Sequence, residues 1–133
     1  MGKATLTWTC IIGDAHVGTL ARMLKSILER PGGPAASEIV IGWNGANDEG
    51  FAAAIEDAFG PLAGVSDFPP QSGNEVRFRH KTVDVVIFDQ EWKKDFAAAR
   101  NETHQRATSD WIGYIDGDDT LLAGHGSDIL TGG

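Results

Sequence analysis

The sequence has little cysteine, few basic residues and no long apolar run. Cys10 is the only cysteine in 133 residues, which excludes an intrachain disulfide or a zinc site built from several cysteines and favours a reducing, cytoplasmic location. The net charge of -8 disfavours binding to nucleic acid or to an anionic membrane surface. Because no apolar run reaches the roughly 18–20 residues of a membrane span, we expect no transmembrane segment.

Two further kinds of site lack their usual sequence patterns. The four histidines do not have the spacing of a zinc-binding helix. No GxGxxG follows a predicted strand, so a dinucleotide-binding fingerprint is unsupported. What the composition does offer, 41% hydrophobic and 23% charged residues, is typical of one globular domain with a modest core.

Strands and helices alternate along the first half of the chain. β-Branched and aromatic residues without polar alternation predict strands that are buried on both faces. Apolar residues at three- and four-residue spacing, ended by glycine and proline, predict helices. The predicted elements are a strand over Ala4–Gly13, a helix over Val17–Arg30, a strand within Ser37–Gly45 and a helix over Asp48–Gly60.

The second half repeats the alternation after a weaker stretch. Residues 61–82 are predicted to be mainly loop, with one short strand around Val76–Phe78. Val83–Asp89 is predicted as a strand, Lys93–Thr108 as a helix and Asp110–Asp116 as a further strand. This order predicts an α/β fold with a mainly parallel sheet and helices on both faces, and such sheets bind ligands at the carboxyl ends of their strands.

The last predicted strand ends in an acidic run. Trp111–Ile115 is mostly apolar, and Asp116, Gly117, Asp118 and Asp119 follow it directly. A hard divalent cation such as Mg²⁺ or Mn²⁺ prefers oxygen ligands, and two carboxylates two positions apart can reach one ion from the same side. A solvated acidic turn is the alternative for such a motif in isolation.

The order of several motifs resembles family 2 glycosyltransferases of the GT-A fold. The motifs are "LKSIL", then "EIVIGWNGAND", then "DFAAARNETHQRATSDWIGYIDGDD". The resemblance runs from Thr5 to about Leu122. It implies that residues 1–122 are the nucleotide-sugar-binding part of an incomplete, Rossmann-like GT-A domain and that residues 123–133 are a glycine-rich tail.

The resemblance also implies roles for particular residues. Asp116 and Asp118 would be the DxD pair that holds Mn²⁺ or Mg²⁺ against the diphosphate of a nucleotide sugar, such as a UDP-sugar, with Asp119 in support. The residues implied in nucleotide-sugar binding are Asp14, Asn44, Asp48, Arg100, Asn101 and Asp116. The acceptor would be a glycan, a lipid or a protein.

The sequence departs from the family pattern in two respects. Trp43 stands where the family usually has an acidic residue, and Ala46 stands where it has serine; a packing role for Trp43 is favoured over stacking on a base. The acceptor-binding half and the catalytic base of the family have no counterpart here. We therefore expect the donor-binding half of a glycosyltransferase, without its own catalytic residue.

The end of the sequence supports a competing hypothesis. Gly117–Gly133 resembles the calcium-binding nonapeptide repeats of β-rolls, with Gly124, Gly126, Asp128 and Leu130 in register and Ala123 in place of a glycine. Such repeats bind Ca²⁺ between several stacked turns, and barely two are present. A non-catalytic calcium-binding or interaction module is therefore the alternative function.

Overall fold

The computed structural model describes residues 5–28, 37–60, 70, 74–80, 83–91, 94–109, 111–115 and 130–132. Within these ranges six strands and three α-helices follow one another. The strands are β1 (Leu6–Ile12), β2 (Glu38–Trp43), β3 (Glu75–His80), β4 (Val83–Asp89), β5 (Trp111–Tyr114) and β6 (Leu130–Gly132). The helices are α1 (Val17–Leu28), α2 (Asp48–Phe59) and α3 (Phe96–Arg106), and a 3₁₀ turn, Asp14–His16, precedes α1.

All six strands form one sheet in the order β3-β4-β2-β1-β5-β6. The four central strands, β4, β2, β1 and β5, are parallel, while β3 and β6 lie antiparallel at the two edges. This arrangement confirms the predicted α/β class with a mainly parallel sheet. Since the chain leaves β1 toward β2 and later returns to the other side of β1 as β5, the strand order reverses beside β1, where open α/β sheets form a ligand crevice.

The helices cover both faces of the sheet, as predicted. Helices α1 and α2 pack against each other and against one face, where the largest apolar cluster of the described residues lies. Helix α3 lies on the opposite face, against β1 and β2. Right-handed crossovers require this distribution, because α3 leads to the strand on the far side of β1. In the part of the chain that the structure describes, no helix is long and apolar enough to span a membrane.

Strand β3 corrects the prediction of a mainly looped segment between Pro61 and Thr82. The strand extends over all of Glu75–His80 and pairs with β4 along its whole length. Phe78 packs edge-on against Phe59 of the core, whereas Arg77 and Arg79 are exposed. An edge strand with one solvated face carries half polar residues, and this composition obscured it in the sequence.

The three residues of β6 were not predicted as a strand. They pair antiparallel with β5, so Leu130–Gly132 of the predicted glycine-rich tail belongs to the sheet. The other residues of the calcium-repeat resemblance, Gly124, Gly126 and Asp128, lie outside the described residues.

Candidate functional site

Four parallel strands end at the same side of the sheet, and three of them, β2, β4 and β5, are extended by one backbone bond to a neighbouring strand. Asn44 N–H donates to the carbonyl of Ile12, Gln90 N–H to that of Trp43, and Ile115 N–H to that of Thr9. The loops that leave β1, β2 and β4 therefore start side by side, while β5 points to the same side and ends beside Thr9 of β1. We call this side the carboxyl end of the sheet, and it is where parallel sheets place ligand-binding residues.

Asp14 joins two of these loops. Its Oδ1 atom accepts hydrogen bonds from the backbone N–H groups of Ala46 and Asn47, both at 2.8 Å. A side chain at Gly45 would overlap this oxygen, so the approach requires glycine there. The predicted site residue Asp14 thus lies beside the turn that contains Asn44 and leads into α2.

Trp43 is part of the core. Its side chain is 1% exposed and stacks on Phe51 with the ring centroids 4.2 Å apart. The indole N–H donates to Oδ1 of Asp48 at 3.0 Å. The structure confirms the packing role of Trp43 and leaves no exposed ring face for a nucleotide base, while Asp48 has one carboxylate oxygen engaged by the indole.

Asn44 lies next to the loop that follows β1. Its Oδ1 atom is 3.0 Å from the position that a side-chain Cβ of Gly13 would take. Gly13 in turn donates its N–H to Nδ1 of His16 and accepts from the backbone N–H of His16, both at 3.0 Å. Three predicted residues, Asp14, Asn44 and Asp48, are therefore gathered at the adjacent ends of β1 and β2.

Arg100 lies on the other side of β1, beside the end of β5. The guanidinium carbon is 5.1 Å from the ring centroid of Tyr114, in a cation–π contact. The Nε atom of Arg100 is buried, and it has no hydrogen-bond partner within the described ranges. Asn101, the next residue, is exposed. Tyr114 precedes the acidic run by two positions, so Arg100 contacts the strand from which that run continues.

Two residues near Arg100 were missed by the sequence analysis. Gln90 is 2% exposed and donates from Nε2 to the carbonyl of Ala99 at 3.0 Å, which leaves its buried Oε1 without a partner among the described residues. His104 lies one turn beyond Arg100, and its buried Nε2 is likewise unpaired within that part of the chain. Burial and the positive charge of Arg100 lower the pKa of His104 below its usual value.

The predicted metal ligands Asp116, Asp118 and Asp119 lie outside the described residues. Elsewhere in the described part of the chain, no group of three or more histidine, cysteine, aspartate or glutamate side chains could hold a metal ion. Cys10 is buried, and burial raises the pKa of its thiol far above the usual value, so it does not serve as a nucleophile.

A comparison with known families agrees with the fold. The sequence model of glycosyl transferase family 2 matches residues 17–128, which is most of the chain. No curated protein matches the sequence. The matched region contains α1 to β5, the turn between Asn44 and Asp48 and the whole acidic run after β5. The chain therefore belongs to glycosyl transferase family 2.

Proposed function

We propose that the protein binds a nucleoside-diphosphate sugar at the carboxyl end of the sheet and provides the donor-binding half of a glycosyltransferase site. Family membership indicates glycosyl transfer in general. One observation carries the more specific proposal: Arg100, whose buried Nε has no hydrogen-bond partner among the described residues, lies beside the strand that leads directly into Asp116, Asp118 and Asp119. A cation and a carboxylate cluster at one end of a parallel sheet suit a diphosphate with its metal ion.

The guanidinium of Arg100 is well suited to a phosphate group. Its contact with Tyr114 holds it near the end of β5, and its Nε–H has no acceptor among the described residues. A buried donor without an acceptor is unfavourable, and an anionic phosphate oxygen would satisfy it with a charge-assisted bond. Asn101, on the exposed side of the same turn, is proposed to contact the sugar-diphosphate from solvent.

The acidic run has the donor chemistry for Mn²⁺ or Mg²⁺. Three carboxylates within four residues are hard oxygen ligands, and we assign Asp116 and Asp118 to the ion with Asp119 in support. When bound, the ion would neutralise charge on the leaving diphosphate. Asp116 is also proposed to contact the donor itself.

The ends of β1 and β2 would receive the nucleoside. Asn44 offers an amide with both donor and acceptor capacity, and the carboxylate of Asp48 lies beside it, held by the indole N–H of Trp43. Asp14 borders the same region through Ala46 and Asn47. A UDP-sugar is the proposed donor, and the acceptor hydroxyl would belong to a glycan, a lipid or a protein. We assign no catalytic base within this sequence.

Calorimetric titration of UDP into the protein tests the proposal. Binding is expected in the presence of Mn²⁺, and it should be lost in EDTA and in Asp118→Asn. Arg100→Gln should weaken binding about tenfold, since one charge-assisted pair with phosphate is removed. Asp57→Asn is the matched control, because Asp57 is an exposed aspartate on α2 that pairs with Lys25.

An affinity for UDP that is unchanged both in EDTA and in Asp118→Asn would contradict the assigned metal site. Absence of UDP binding together with stoichiometric Ca²⁺ binding would instead favour the calcium-module alternative. Asp128→Asn separates the two, because it removes an aspartate of the calcium-repeat pattern and leaves strand β6 (Leu130–Gly132) in place, so only calcium binding by the tail would be lost.

A further inference from the structure

The loop after β1 and the turn after β2 are fastened together by a single carboxylate. We infer that Asp14 is a positioning residue, whose carboxylate fixes these two segments as one rigid rim of the donor site and does not itself contact the nucleotide. The role of this rim in donor binding rests on the proposed function. The fastening itself, Asp14 Oδ1 with the amides of Ala46 and Asn47, is called the Asp14 clasp.

Both hydrogen bonds of the Asp14 clasp are made to the same carboxylate oxygen. Two backbone N–H groups donate to the same Oδ1, each at 2.8 Å, across 32 and 33 residues of sequence. Bonds from N–H groups to a carboxylate are shorter and stronger than neutral ones. The amides belong to the residues just before α2, where the helix dipole also favours negative charge. An oxygen held in this way is not available to a nucleotide or a metal ion.

Each segment that the clasp joins is already held internally. The loop after β1 is closed by the reciprocal bonds between Gly13 and His16. On the other side, Oδ1 of Asn47 accepts from the N–H of Gly50 and caps α2. The clasp therefore connects two stiff units and not two loose loops, so one contact is sufficient to fix their relative position.

The absence of a side chain at Gly45 supports a dedicated arrangement. A Cβ there would overlap Oδ1 of Asp14 and would also collide with the ring of Trp43. Close approach of the carboxylate to the turn thus depends on this glycine. Asn44, the proposed nucleoside-facing residue, lies between the two segments, so both of them restrict its position. A preformed rim spares the ordering that binding would otherwise require.

Two substitutions at Asp14 separate positioning from direct contact. Asp14→Ala removes the acceptor, whereas Asp14→Asn removes the charge and keeps an Oδ1 that can accept from both amides. The measurements are amide hydrogen exchange at Ala46 and Asn47 in the free protein and the Kd for UDP with Mn²⁺. Asp57→Ala, an exposed substitution on α2, is the control.

In Asp14→Ala, exchange at both amides should accelerate about tenfold or more, because charge-assisted bonds that protect them are lost. The Kd for UDP should rise about tenfold as the rim loses its order. Asp14→Asn should retain most of the protection and bind UDP within about threefold of the original chain. The control should change neither quantity.

Unchanged exchange at Ala46 and Asn47 in Asp14→Ala would overturn the clasp. Retained protection in Asp14→Asn, combined with a loss of UDP binding as large as that in Asp14→Ala, would show that the charge acts directly on the ligand and would overturn the positioning role. Failure of the unaltered chain to bind UDP counts against the proposed function, whereas the exchange rates decide the clasp independently of any ligand.

Discussion

The two ends of the parallel strands differ in how they accommodate buried polar groups. At the amino end, the carboxylate of Glu38 is 5% exposed and accepts from the hydroxyl of Thr7 at 2.8 Å, from the N–H of Thr108 at 2.9 Å and from the hydroxyl of Thr108 at 3.3 Å. Every oxygen of this buried carboxylate has a partner. The network ties the starts of β1 and β2 to the segment that leads into β5.

Toward the carboxyl end, by contrast, buried polar atoms are left without partners among the described residues. They are Oε1 of Gln90, Nε of Arg100 and, one turn further along α3, Nε2 of His104. Buried polar groups in native proteins are nearly always paired, so the exceptions call for an explanation. The contrast teaches that the amino end satisfies its buried polar groups internally, whereas under the proposed function a ligand would complete the pairing at the carboxyl end.

The largest expected effect lies at the amino end. Glu38→Ala should lower the free energy of unfolding by about 3 kcal/mol, because it leaves the buried hydroxyl of Thr7 unpaired, releases the bonds from Thr108 and opens a cavity. Denaturant titration measures the change, and Glu56→Ala, an exposed glutamate on α2, is the control. A loss below about 1 kcal/mol would show that the network is not a stabilising element.

A second substitution tests how tightly the carboxyl end is packed under α3. A Cβ at Gly42 would lie 2.9 Å from Oε1 of Gln90 and 3.1 Å from Cζ of Phe88. Gly42→Ala should therefore destabilise the protein by about 1–3 kcal/mol through overpacking. The penalty should shrink in a Gln90→Ala background, since the two sites share this contact. Equal penalties in both backgrounds would indicate that Gln90 is not the constraint.

Gln90 itself allows stability and binding to be separated. Gln90→Met keeps the length of the side chain, removes the Oε1 that has no partner among the described residues and loses the bond to the carbonyl of Ala99. The two effects on stability oppose each other, so the free energy of unfolding should change by less than about 1 kcal/mol. The Kd for UDP should nevertheless rise about threefold, because Ala99 directly precedes Arg100 and its position is no longer fixed.

Gln105→Met is the matched control for that experiment, since Gln105 is exposed on the same helix. A large loss of stability in Gln90→Met with unchanged UDP affinity would place Gln90 with the structural groups of the amino end.

The sheet could be predicted because buried strands have a recognisable pattern of apolar residues in the sequence. Continuous apolarity marked β1, β2 and β4, and the alternation with helices predicted that these strands are parallel, as the structure shows. Trp43 could also be assigned to packing, because a large aromatic residue at the end of a buried strand is usually part of the core. The length of strand β3 was underestimated, because the polar residues on its solvent-exposed face interrupt the apolar pattern.

The arrangement of the site could be predicted only to the level of which strand end a residue follows. The bonds from Ala46 and Asn47 to Asp14 join positions more than thirty residues apart, and they depend on backbone amides that no residue type reveals. Gln90 was missed for the same reason, because a glutamine after a strand is ordinary until its partner on α3 is known.

The smallest expected effect is a pH dependence at His104. Because burial and Arg100 lower the pKa of the folded-state imidazole below its usual 6.5, the unfolded chain takes up this proton first as the pH falls. The stabilising contribution is thus complete above pH 6.5 and is lost progressively as the pH falls below it toward the folded-state pKa. Comparison of denaturant stability at several pH values should show a shallower decline below 6.5 in His104→Gln.

The same imidazole reports on the charge of its neighbour. Arg100→Gln should raise the pKa of His104 toward its usual value, as measured by NMR titration of the ring, because the positive charge that contributes to the lowering is removed. Saturation with UDP and Mn²⁺ should shift the pKa in the same direction if a diphosphate neutralises the guanidinium. A His104 titration that responds to Arg100→Gln but not to bound UDP would place the diphosphate away from Arg100. The donor would then not account for the buried atoms of Gln90, Arg100 and His104 that have no partner among the described residues.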